Sequence, residues 1–77
     1  MKFPQDFKQE LHHLIPRAKQ WTLSNKEDKV VISIVGGGTG LYGNGVTTFE
    51  MYDFREEEPQ SYLSKEDINN HLEINPI

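Results

Sequence analysis

The sequence predicts an α+β fold: an N-terminal helix, a three-stranded antiparallel meander and a C-terminal helix, with both helices on one face of the sheet. Three observations predict it. Phe3, Phe7, Leu11 and Leu14 recur at the spacing of one helix face, two β-rich segments flank a run of glycines, and Ser64 opens a segment with the chemistry of a helix start.

Pro4 suits a first helical turn, while Pro16 removes a donor and disfavours a helical Ile15, so the first helix is expected to end near Leu14. From Arg17 to Leu23, Lys19, Trp21 and Leu23 alternate with Ala18, Gln20 and Thr22, the period of a strand. Ala18 and Trp21 would also continue a helical stripe after a kink, so both readings stay open; the strand is favoured because a two-stranded hairpin is marginal by itself. Were this segment helical, a homodimer would be the expected protection for the smaller sheet. Residues 24–28 read as a polar turn, and Lys29 to Val35 is the clearest strand, rich in β-branched side chains.

Val46 to Phe54 reads as the third strand, closed by Glu56-Glu57-Glu58-Pro59. Ser64 is then a natural N-cap with Asp67 three residues on, and Leu63 and Ile68 are placed for a hydrophobic staple. Asn75-Pro76 limits any continuation. The core expected from these elements comprises Phe3, Phe7, Leu11, Leu14, Trp21, Leu23, Val30, Ile32, Ile34, Phe49, Met51, Ile68 and Leu72.

All six glycines lie between residues 36 and 45. Gly38 to Gly43 matches the G-x-G-x-x-G dinucleotide fingerprint, but Val46-Thr47-Thr48-Phe49 is a poor helix start, and no lysine between Val30 and Lys65 serves a Walker loop. A hairpin is the better reading. A tight Asn44-Gly45 turn would pair Ile34 with Arg55 and Ile32 with Glu57, placing apolar residues against charges. A wide loop with Val35 near Val46 instead pairs Ile32 with Phe49, Val30 with Met51 and Ile34 with Thr47, which gives the sheet an inner face. The loop tip would then present Leu41, Tyr42 and Asn44.

At 77 residues with no cysteine, the chain has room for one domain, spanning 1–77, and no disulfide or thiolate chemistry. The formal net charge is −4, with six Lys/Arg against four Asp/Glu over residues 1–29 and two against eight over 30–77. That balance argues against nucleic acid and favours basic protein partners. No apolar run approaches the roughly 20 residues of a membrane span, and the first residues lack a signal sequence's apolar core, so a cytoplasmic protein without membrane attachment is expected.

Candidates for catalysis are few. On a helix, His12 and His13 would point about 100° apart and could not share a metal, and Glu50 and Asp53 fall on opposite faces of a strand. Trp21 is expected in the core. No catalytic, cofactor-binding or metal-binding residue is therefore expected. The leading expectation is a non-enzymatic, acidic protein-interaction module (an adaptor, inhibitor or regulatory subunit) contacting its partner through Leu41, Tyr42, Asn44, Glu56, Glu57 and Glu58. Alternatives are an anion or small-ligand site built on the glycine backbone and a structural part of a larger assembly.

Overall fold

A computed structural model describes residues 1–38 and 43–77. Five strands run β1 (Lys8–Leu11), β2 (Lys19–Ser24), β3 (Val30–Gly36), β4 (Phe49–Asp53) and β5 (Gln60–Leu63), followed by one helix, α1 (Lys65–Ile74). They form one antiparallel sheet in the order β1-β2-β3-β4-β5. The predicted fold is thereby corrected: the sheet has five strands rather than three, and among the described residues there is no N-terminal helix.

The first half of the helical stripe is real burial in a different conformation. Residues 2–7 form turns closed by Asp6 N–H donating to Lys2 O (2.9 Å) and Phe7 N–H to Pro4 O (3.0 Å), and these swing Phe3 and Phe7 into the core. Phe3 meets Phe7, Trp21 and Phe49 edge-on, with ring centroids 5.0–5.5 Å apart. Such arrangements suit the aromatic quadrupole. Asn69 of α1 locks the turn in place, accepting from Phe3 N–H at 2.8 Å and donating to Phe3 O at 3.2 Å. Beyond Phe7 the chain pairs with β2, and Leu11 and Leu14 are left 76% and 75% exposed. Tertiary pairing with an amphipathic strand outweighs a short helix that would be marginal alone.

β2 realises the alternating pattern, burying Trp21 and Leu23. Those two face Ile34 and Ile32 of β3, and Ile34 in turn faces Met51 of β4. With Phe49, Ile68 and Leu72 these residues form the apolar layer between sheet and helix. Val30, expected there, is largely exposed, and Ala18 is buried instead.

The β3–β4 register lies between the two considered. Ile34 pairs with Met51 and Ile32 with Asp53, so each β3 residue meets a partner four positions beyond the wide-loop expectation. A slip of four preserves side-chain parity. Ile32, Ile34, Phe49 and Met51 accordingly share the inner face as expected, while Val46 and Thr47 leave the ladder and are exposed.

The helix start is built as its sequence implies. Asp67 N–H donates to Ser64 Oγ and Ser64 N–H to Asp67 Oδ2, both at 3.0 Å, a complete capping box. Leu63, just before the cap, packs against the core.

Candidate functional site

Gly36, Gly43 and Gly45 sit where backbone segments pack closely. A Cβ on Gly36 would lie 2.7 Å from Gly45 Cα, and Gly45 itself adopts φ +75°, so two chain segments touch where side chains have no room. Gly37 N–H donates to Gly43 O (3.1 Å) and Gly45 N–H to Thr48 O (2.9 Å). Asn44 organises the descending limb: its Oδ1 accepts from Val46, Thr47 and Thr48 N–H at 2.7–3.1 Å, and its N–H donates to Thr48 Oγ1 at 2.9 Å. Asn44, predicted as a contact residue, thus has its side chain committed to the turn. The amides of Gly37, Asn44 and Gly45 are also engaged, so an anion could use them only by opening this base. Leu41 and Tyr42 lie outside the described residues.

The acidic strand end divides into two parts. Glu57 and Glu58 are exposed and make no ion pair among the described residues. Glu56 is exposed as well but has a partner, with Oε1 3.2 Å from His71 Nε2.

That contact belongs to a charge network beneath α1. Asp53 ends the inner row of β4, beside Ile32, and is only 3% exposed. Arg55 wraps back onto it: Nε donates to Oδ1 at 3.0 Å, Nη2 to Oδ2 at 2.8 Å, and the Arg55 backbone N–H adds a third bond at 2.9 Å. From α1, His71 brings Nε2 to 2.8 Å from Asp53 Oδ2. Arg55 also donates to the carbonyls of Asn75 (2.9 Å) and Pro76 (3.0 Å), holding the chain beyond α1 against the end of the sheet.

Burial alone would push the Asp53 carboxyl up, but the hydrogen bonds from Arg55 and His71 outweigh it and hold the group well below the usual carboxylate range. Asp53 in turn raises the Arg55 guanidinium above its ordinary value.

Asp53, Glu56 and His71 could each offer one ligand atom within a 4.8 Å cluster. Arg55 already engages this group. Its guanidinium bonds both Asp53 oxygens, so an ion held there would sit beside a fixed positive charge and would replace the contact between His71 and Asp53 Oδ2. The arrangement serves as a latch between sheet and helix.

His12 also has a local role. Outside a helix, its Nδ1 accepts from Leu14 and Ile15 N–H, both at 3.1 Å, and its ring stacks on His13 with centroids 5.2 Å apart. Two surface concavities of about 550 and 370 Å³ lie near the termini, one against Ser24–Glu27 and the other against Asn69, Leu72 and Glu73. Neither involves Asp53 or His71. Among the described residues, no helix is long and apolar enough to cross a membrane.

Sequence reasoning missed Asp53, Arg55 and His71 as a unit, although signals were present. Asp53 shares strand parity with Phe49 and Met51, and His71 shares a helix face with Ile68 and Leu72, so both point toward one core. The chain matches no protein-family model, no curated protein and no solved structure.

Proposed function

We propose that the chain is a non-enzymatic protein-interaction module whose acidic β4–β5 turn receives a basic surface of a partner protein. The observation that carries this reading is the contrast within Glu56-Glu57-Glu58: Glu56 is paired with His71, whereas Glu57 and Glu58 stand exposed without a cation among the described residues. Two adjacent uncompensated carboxylates on a turn create a local negative potential that steers a cationic partner. The excess of acidic residues over 30–77 reinforces it. The internal commitment of Asp53, Arg55 and His71 supports a binding role over a catalytic one. In this proposal Leu41 and Tyr42 provide a second contact.

Affinity capture from native extract, run with the wild type and with Glu57→Lys/Glu58→Lys, tests the proposal. Capture of a basic protein that is lost in the variant and weakened by salt is expected. Identical capture by both proteins would remove the acidic turn from the interface. Glu56 is left unchanged because its reversal would also strike His71.

A further inference from the structure

The sheet face opposite α1 carries an aromatic stripe along β4. Glu50 and Tyr52 alternate outward, and Phe54 continues the pattern just past the strand, held to β3 by its N–H donating to Val31 O at 2.8 Å. The Tyr52 and Phe54 rings lie 4.8 Å apart at a tilt of 40°, and Phe54 is 57% exposed. Their surroundings mix apolar and polar side chains: Phe54 lies beside Val31 of β3, and Glu50 pairs across the sheet with Val35. Tyr52 pairs across the sheet with Ser33, which pairs with Thr22. Lys8, farther across on β1, is matched by Glu10 at 3.6 Å, and Arg55 turns to Asp53. Glu50 precedes the rings along the strand and accepts from Ser61 Oγ at 3.4 Å, and Glu57 and Glu58 follow the rings in sequence as exposed residues of the β4–β5 turn.

We propose that this stripe is a docking site for an extended arginine-rich segment of the partner, with an arginine stacked on Tyr52 and Phe54 and neighbouring basic residues meeting Glu50, Glu57 and Glu58. The inference rests on the acidic-turn reading and names the chemistry of what binds beside it. Guanidinium groups are attracted to aromatic faces, and arginine more often than lysine occupies such positions. The geometry also matches: Glu50, Tyr52 and Phe54 are spaced two residues apart, a step of about 7 Å, which an extended peptide with basic residues at alternate positions repeats. Exposed rings on a sheet can stack nucleobases too. Here the flanking carboxylates repel a phosphate backbone, so the basic peptide is the favoured occupant.

The test is calorimetric titration with a short peptide carrying arginine at alternate positions, its lysine and glutamine counterparts, and an oligothymidine strand. Binding in the order arginine, lysine, glutamine is expected, with no heat from the oligonucleotide. Phe54→Leu, which keeps an apolar side chain at an exposed position, is expected to weaken the arginine peptide roughly two- to five-fold while the urea midpoint stays unchanged. If Phe54→Leu and Tyr52→Leu bind like the wild type but Glu57→Lys/Glu58→Lys does not, the aromatic site is refuted and the acidic turn stands. If all these variants bind alike, both readings fail. Binding of oligothymidine in preference to the peptide would overturn the assignment of the occupant.

Discussion

Replacing Arg55 by methionine isolates the latch from the rest of the fold. The substitution removes four side-chain hydrogen bonds, to Asp53 Oδ1 and Oδ2 and to the carbonyls of Asn75 and Pro76, while the Arg55 backbone bond and the His71 contact to Asp53 survive. A single hydrogen bond to a charged group contributes about 1.5–3 kcal/mol, but the Arg55 side chain is 38% exposed, so water already screens part of the interaction. The expected cost is about 2 kcal/mol. For a domain of this size that is a substantial share of a total near 4–12 kcal/mol, at roughly 0.05–0.15 kcal/mol per residue. Trp21, 5% exposed, provides the fluorescence signal for urea unfolding; the midpoint is expected to fall with little change in slope.

The pH dependence supplies the second arm. Asp53 is depressed in the folded state, so its contribution is fully present above the unfolded carboxylate value of about 3.9 and is lost as pH falls below it toward the folded value. Arg55→Met lets the Asp53 carboxyl rise, while the bonds from His71 and the Arg55 backbone remain, which reduces that acid sensitivity. The stability gap between wild type and variant should therefore be widest near neutral pH and narrow below about pH 4. Equal midpoints at neutral pH, or a gap of constant size across the acid range, would refute the latch.

Two further outcomes concern the frame around the site. Gly43→Ala would place a Cβ 2.7 Å from Thr48 O and 2.8 Å from Phe49 Cα, backbone atoms that cannot step aside without disturbing β4; a loss of about 1–3 kcal/mol is expected in the same urea assay. Ser64→Ala removes one half of the capping box at the start of α1 and should cost about 1 kcal/mol, read as a fall in thermal midpoint of roughly 4–8 °C.

What the sequence made legible was side-chain parity rather than partner identity. The alternation in β3 and β4 was enough to place Ile32, Ile34, Phe49 and Met51 on one face. Register depended on how many residues the Asn44-centred turn absorbs, and that is decided by side-chain-to-backbone bonds with no strong pattern of their own. The capping box of α1 was readable because it is local. The N-terminal helix failed for the opposite reason: Phe3 and Phe7 have helical spacing, yet turns and the Asn69 lock deliver the same burial, and β2 claims the residues that follow. β5 was missed because Gln60–Leu63 is short, follows Pro59 and has little inward apolar periodicity; Tyr62 within it even adopts φ +59°. The charge network was invisible to motif reading because its members come from a strand, a turn and a helix, brought together only by packing.

The central functional claim is that the acidic turn and the outer aromatic stripe form one surface for a basic segment. Amide chemical-shift mapping of the wild-type chain during titration with the alternating arginine peptide tests it most directly. Shifts concentrated at Glu50, Tyr52, Phe54, Glu57 and Glu58, fading as salt is raised, are the predicted result. Saturable binding whose shifts fall instead on α1 or on the β1 edge, with residues 50–58 unmoved, would contradict it.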